Sequence, residues 1–192
     1  MSDNIRFRSA RVEDAAEISA LGRRTFHDTF VGKSFYTAEL IDDYTSRAFA
    51  VDRVAEQISD SSNRFFLLVE STEAMGETNL GYAKLVQRAP EPQVVARVTG
   101  PSIYLDKFYI DRPFHHRGLG SVLLQHVRRE CTQLGAEWMW LSVWEHNVQA
   151  QRFYERNEFL RVGEWDWPWE ACGKSYVDCD WLMVGPVQPK RS

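Results

Sequence analysis

Residues 114–124 read FHHRGLGSVLL: an aromatic ring, three basic or protonatable side chains, two glycines one residue apart, and then an apolar run. Immediately upstream, SIYLDKFYI (102–110) has the β-branched and aromatic content of a strand, and DRPFHHR (111–117) joins it to a helix expected to begin at about Gly118. The first turn of a helix leaves backbone N–H groups without intrahelical partners, at the positive end of the helix dipole. Glycines there let a phosphate approach the main chain, and His115, His116 and Arg117 add positive potential. The stretch reads as a cradle for a phosphate-bearing ligand on the amides of Arg117–Ser121, against the plainer possibility of a tight strand-to-helix turn. Two nucleotide motifs fit poorly. No Gly-Lys-Ser/Thr run follows the glycines, and Leu123 stands where a dinucleotide fingerprint carries its third glycine.

Working outward, Leu119, Val122, Leu123, Val127, Cys131 and Leu134 recur at helical spacing, and Gly135 sits where a C-terminal cap glycine belongs. WMWLSVW (138–144) is apolar on both alternating faces, which suits a central strand covered on both sides. Residues 147–157 read as helix, followed by short strands around Phe159–Trp165 and Tyr176–Val184. Toward the N-terminus, Ile5–Arg8 alternates like an edge strand, and Val12, Ala15, Ala16, Ile18 and Leu21 trace a helix. A second helical region, Tyr36–Ile58, is expected to break in its middle. RFFLLVE (64–70) and LGYAKLV (80–86) form a hairpin across the polar STEAMGETN, and the proline-containing QRAPEPQVVARVTGP (87–101) reads as a loop. The order β, α, α, β, β, β, α, β, α, β, β predicts a mixed α/β sheet with helices on its faces, in a single domain over residues 1–192.

Composition narrows the function. With 44% hydrophobic and 26% charged residues the chain is an ordinary soluble globular one. No apolar run approaches the ~20 residues of a membrane span, and MSDNIRFRSA lacks the apolar stretch of a signal peptide, so the cytoplasm is the expected location and no membrane partner is expected. A net charge of −4 argues against nucleic acid and for small molecules. The charge is uneven: Arg112, Arg117, Arg128 and Arg129 outweigh Asp111 and Glu130 within 111–130, whereas Asp28, Glu39, Asp42 and Asp43 face Lys33 alone within 28–43. Cys131, Cys172 and Cys179 show no CxxC spacing and read as buried thiols; His27, His115, His116, His126 and His146 contain no i, i+4 pair, and no metal is expected.

Two motifs in this order resemble the GNAT superfamily of N-acetyltransferases. The family's phosphate loop, Q/R-x-x-G-x-G/A after a strand, is matched by His115-His116-Arg117-Gly118-Leu119-Gly120 after Phe108-Tyr109-Ile110, with His115 in place of Gln or Arg. Its second signature, LxVxxxNxxAxxFYxxxGF, is matched by LSVWEHNVQAQRFYERNEF (141–159), with Glu158 where the family usually has glycine. Within the superfamily, TFHDTF (25–30), VWEHN and the ending of the chain are most similar to the Pai-type spermidine/spermine N-acetyltransferases.

The resemblance implies a mostly antiparallel mixed sheet splayed between strands four and five, with helices on both faces. It also implies acetyl-coenzyme A as co-substrate in that gap. Pantetheine would run along Phe108, Tyr109 and Ile110, the diphosphate would lie on the loop through Leu119, Gly120 and Ser121, and Asn147, Ala150 and Tyr154 would face the same gap from one helical stripe. Tyr154 resembles the family's general acid. An alkyl ammonium with a pKa near ~10.4 must lose a proton before attack, a cost of roughly 4–5 kcal/mol at pH 7. Asp106, placed by strand alternation on the face of Phe108 and Ile110, is the first candidate base and Glu145 the second; Asp106 in a plain salt bridge is the competing reading. Cys172 as an acetyl carrier is the less favoured scheme. Phe26, Phe30, Trp167 and Trp169 are expected on the acceptor side, the tryptophans in a late loop EWDWPWE (164–170) whose acids and rings suit a cationic, polyamine-like amine. A homodimer interface is the other use for those tryptophans. A non-catalytic acyl-coenzyme A-binding or regulatory module and a peptide or protein N-acetyltransferase are the rival functions.

Overall fold

The computed structural model describes residues 4–72 and 76–188. Its elements are β1 (Ile5–Ser9), α1 (Ala15–Phe30), α2 (Ala38–Ala48), α3 (Val51–Ser59), β2 (Asn63–Thr72), β3 (Gly76–Val86), α4 (Pro92–Val95), β4 (Ser102–Ile110), α5 (Leu119–Gln133), β5 (Trp138–Trp144), α6 (Val148–Arg156), β6 (Leu160–Ala171) and β7 (Lys174–Pro186). The strands form one sheet in the order β1-β2-β3-β4-β5-β7-β6, antiparallel except for the β4–β5 pair. This is the mixed α/β sheet expected from the sequence.

Alternation along β2 shows why both faces are covered. Phe66 and Leu68 join Leu119, Leu123, Leu124 and Val127 of α5, while Phe65, Leu67 and Val69 turn to Ala15, Ile18 and Leu21 of α1 and Val54 of α3. α1 buries Ile18, Leu21, Gly22, Thr25, Phe26 and Phe30, a single helical stripe. The break in the second helical region falls at Phe49–Ala50. Phe49 is buried against Gly22, where an added Cβ would stand 2.6 Å from its ring, and the Ser19 hydroxyl donates to the Phe49 carbonyl at 2.5 Å. The chain stops its helix there to seat one ring and satisfy one freed carbonyl.

Several expectations are corrected. The stretch 87–101 contains the short helix α4. The strands after α6 are longer than expected, and EWDWPWE lies inside β6 instead of a loop. Its period-two tryptophans are what an edge strand with one covered face requires, and Pro168 is tolerated because β6 pairs only with β7. Of the three thiols, Cys131 is buried, Cys179 is partly covered and Cys172 is exposed, between β6 and β7. Glu158 takes φ +65°, so the turn before Phe159 keeps a glycine-like backbone with a side chain on it.

Gly81 lies beside the site. A Cβ there would meet the Tyr109 carbonyl oxygen at 2.4 Å and the Ile110 side chain at 2.8 Å. Gly81→Ala is expected to lower stability by about 1–3 kcal/mol, read from urea denaturation, with the end of β4 displaced.

Candidate active site

β4 and β5 pair at only three positions, Ser102↔Trp138, Ile103↔Met139 and Tyr104↔Trp140, and then part. The departure coincides with a bulge: Leu85 pairs with Leu105 and Lys84 with Lys107, leaving Asp106 as the extra residue of β4. The edge of β4 that would face β5 is thus left without a strand over Leu105–Ile110.

Two adjoining cavities occupy the gap. The larger, of about 530 Å³, is lined by Phe108, Tyr109 and Ile110 from β4, by His115, His116 and Gly118–Ser121, and by Asn147, Ala150 and Tyr154 around α6. Every residue expected on the coenzyme side is there except Arg117, whose guanidinium turns away to the Glu70 carboxylate at 2.6 Å. Thr25, Asp28, Thr29 and Lys33 add a wall from α1 and beyond, with Arg112 and Arg156 further cations. Arg128, another arginine of the 111–130 cluster, is buried elsewhere and donates to the Asn157 carbonyl.

The turn into α5 has the chemistry expected of it. Gly118 adopts φ +73° as the N-terminal cap, a backbone that glycine reaches at little cost, and His116 shares it at φ +62°. Among the described residues, the amides of His116, Arg117, Gly118, Leu119 and Gly120 donate to no backbone acceptor. Ser121 differs: its amide already donates to the Gly118 carbonyl at 3.1 Å. The loop is held from behind. Arg24 of α1 forks onto Asp111, whose side chain is 6% exposed, with Nη2 to Oδ2 at 2.7 Å, and Asp111 Oδ1 accepts the Arg112 amide. A His115 ring nitrogen meets the Ile110 carbonyl at 2.8 Å.

The smaller cavity, of about 210 Å³, shares Thr29, Phe108, Tyr109, Asn147, Ala150 and Tyr154 with the larger one. Phe26, Phe30 and Trp167 line it as expected, Trp165 lines it as well, and Trp169 does not; it is buried, stacked on Tyr36 and Tyr176. The acids of EWDWPWE do not line it either, because Glu164, Asp166 and Glu170 alternate out of the tryptophan face and are exposed. The cavity's carboxylates are Asp106, Asp178 and Asp180. The last two escaped the sequence reading, although DCDWL carries the period-two signal that points both toward Trp165 and Trp167, their cross-strand partners. Trp165 already holds a cation: the Arg88 guanidinium lies 5.3–5.6 Å from the Tyr104, Trp140 and Trp165 rings and pairs with Glu91.

The three carboxylates differ. The bulge overturns the expected shared face of Asp106 with Phe108 and Ile110: Phe108 and Ile110 pack on the α5 side, whereas Asp106 pairs with both Lys84 and Lys107 at 2.8 Å. Lys84 is itself hydrogen-bonded to Gln57 of α3. Burial alone would raise the Asp106 carboxyl, but the two ammonium groups bring it down to about 2, which makes it a weak proton acceptor. Asp178 accepts the Tyr36 hydroxyl, and burial raises its pKa. Asp180 has no ion pair among the described residues, and burial raises it to about 6 against a hydrogen bond with Ser142.

Tyr154 is 7% exposed, and burial pushes its phenol well above its ordinary range, so it stays protonated at neutral pH. Asn147 caps α6, its side chain accepting the Ala150 amide at 3.3 Å, while also reaching both cavities. Glu145 lines neither cavity and lies near His146. Among the described residues no group of three or more His, Cys, Asp or Glu could hold a metal ion, and no helix is long and apolar enough to cross a membrane.

A family model described as the Acetyltransferase (GNAT) family matches residues 32–159. An uncharacterized N-acetyltransferase of Lactobacillus delbrueckii subsp. lactis is 26% identical over 152 residues, 79% of this chain and 82% of that protein. A spermine/spermidine N(1)-acetyltransferase of Bacillus subtilis is 34% identical over 65 residues, 33% of this chain and 43% of that one. Among solved structures, PaiA N-acetyltransferase of Thermoplasma acidophilum in complex with coenzyme A is similar with a TM-score of 0.70 at 18% identity, over 97% of this chain and 99% of that one. Spermidine N-acetyltransferase of Vibrio cholerae in complex with CoA and spermine gives a TM-score of 0.64 at 16% identity, over 96% of each chain. At these identities the two structures speak to fold.

The double ion pair predicts a stability effect. Asp106→Asn is expected to cost about 3 kcal/mol or more at pH 7 by leaving two ammonium groups short of a partner. Because the carboxyl is lowered in the folded state, its contribution is complete above the unfolded value near ~3.9 and fades as pH falls through about 2. Urea titrations at pH 7 and pH 3 check both; an equal loss for the variant at the two pH values is expected only if the pairing is irrelevant.

Proposed function

The chain belongs to the acetyltransferase (GNAT) family and is an N-acetyltransferase, and we propose that it moves the acetyl group of acetyl-coenzyme A directly onto a primary amine of a small cationic acceptor. The observation that carries this reading is the meeting of two cavities at Tyr154, one walled by unpaired amides and cations, the other by aromatic rings and carboxylates.

The residues present fit the coenzyme. The amides of His116–Gly120 would hold the diphosphate, with Lys33, Arg112 and Arg156 as surrounding positive charge. The exposed edge of β4 at Phe108–Ile110 offers main-chain groups to the pantetheine amides, as an added strand would. When bound, the thioester supplies an activated acetyl carbon. Tyr154, kept protonated by burial, would give its proton to the departing sulfur. Gly118 and Gly120 matter for backbone reasons: one holds φ +73°, the other leaves only the Phe153 ring at 3.4 Å from a would-be Cβ.

For the acceptor, Trp167 is the β6 tryptophan of the cavity that Arg88 leaves uncovered, and Asp178, its cross-strand partner, and Asp180, the partner of Trp165, supply negative charge beside it. A polyamine-like amine meets this arrangement, and two of the similar proteins act on spermidine or spermine by name. The reading of the chain as an idle coenzyme-binding module has against it the buried, protonated Tyr154 at the junction.

Tyr154→Phe is expected to reduce kcat by about 10²–10⁴-fold while calorimetry finds acetyl-coenzyme A affinity within a few-fold of the parent. Trp167→Ala is expected to raise KM for the acceptor and leave KM for the coenzyme unchanged. Absence of any calorimetric signal with acetyl-coenzyme A on the parent protein sinks the reading as a whole.

A further inference from the structure

We propose that Asp180 of β7 is a catalytic residue that takes the proton from the acceptor's ammonium group before transfer. The inference rests on the acetyl-transfer reading above and goes beyond it by naming the base. Asp180 sits across from Trp144 of β5 and Trp165 of β6, on the sheet face where β4 and β5 part, and lines the small cavity together with Tyr154. Its two carboxylate neighbours in that cavity are already engaged, Asp106 by Lys84 and Lys107 and Asp178 by the Tyr36 hydroxyl. The groups that set its field are Tyr104, Lys107 and Tyr109 of β4, the Ser142 hydroxyl of β5, which lowers its proton affinity by hydrogen bonding, Glu145 after β5, Tyr36, and Asp178 on its own strand, with Asp106 and Arg88 elsewhere on the cavity wall. Asp178 and Glu145 raise its affinity for a proton and Lys107 lowers it, while burial, the largest effect, leaves it at about 6. Asp106, held down by its two ammonium partners, is the weaker acceptor of the two.

The ammonium N–H bond breaks, its proton goes to the Asp180 carboxylate, and the nitrogen keeps the pair. That pair forms the N–C bond to the acetyl carbon as the C–S bond breaks, and the sulfur leaves with the electrons and takes a proton from Tyr154. The second nitrogen proton returns to the Tyr154 oxygen, giving neutral amide, free thiol and restored phenol. Asp180 finally releases its proton to solvent, so one proton leaves per ammonium consumed.

The test uses the full chain with acetyl-coenzyme A and spermidine, 1,4-diaminobutane or benzylamine, followed by thiol release. With the best of these acceptors, kcat is expected to rise about tenfold per pH unit below pH 6 and level above it. Asp180→Asn is expected to lower the plateau by about 10²-fold or more and remove the pH 6 limb, with acetyl-coenzyme A affinity by calorimetry unchanged; Asp180→Glu is expected to restore part of the rate and a limb. An active parent whose kcat is flat between pH 5 and 7 overturns the assignment without any variant, as does an Asp180→Asn protein with the parental rate and profile. Failure of the parent to acetylate all three amines overturns the acceptor reading beneath it, an outcome separate from an active parent that ignores Asp180.

Discussion

The sheet depends on a pairing that is allowed to fail. Three residues of parallel β4–β5 ladder hold the middle of the molecule, and beyond them the strands separate with a bulge at Asp106. A strand edge inside a protein is costly unless its donors and acceptors find partners. Here the flanking sheets are wide enough to bear the parting, four strands on one side and three on the other, and the open edge becomes the place where a ligand backbone can complete the ladder. Both cavities and the capped turn of α5 exist because of that separation.

The same bulge determines the electrostatics. By inserting one residue it reverses the alternation, so Phe108 and Ile110 stay on the α5 side while Lys107 and Tyr109 turn to the other. Asp106 and its two lysines then form a nearly self-contained charge cluster. That leaves the neighbouring carboxylates on β7 to set the potential of the small cavity. Arg88, sandwiched among three rings, marks its far wall.

Much of this was legible in the sequence. Helical spacing from Leu119 to Leu134, the doubly apolar WMWLSVW and the glycine pair gave the elements around the site, because local periodicity and backbone demand leave marks within a short window. The residues expected on the coenzyme side gather around the larger cavity for the same reason, Arg117 excepted, since a basic residue beside a glycine says nothing of where its long side chain finds a partner such as Glu70. What was hidden involves pairing between distant strands. The bulge at Asp106 is a register event between β3 and β4, Trp169 differs from Trp167 through packing with residues such as Tyr36 and Tyr176, and Asp178 and Asp180 acquire their surroundings from β5 and β6. EWDWPWE was expected as a loop, and the edge position of β6 is what makes a strand containing Pro168 admissible.

α1 borders both chambers of the site. Thr29 belongs to both cavities, and one turn away Arg24 clamps the helix to Asp111 at the mouth of the glycine turn. One rigid rod therefore forms a common partition. A tilt of α1 that widened one chamber would reshape the other; occupancy of the two would then be linked, and whatever factor the first guest imposed on the second would be returned in equal measure.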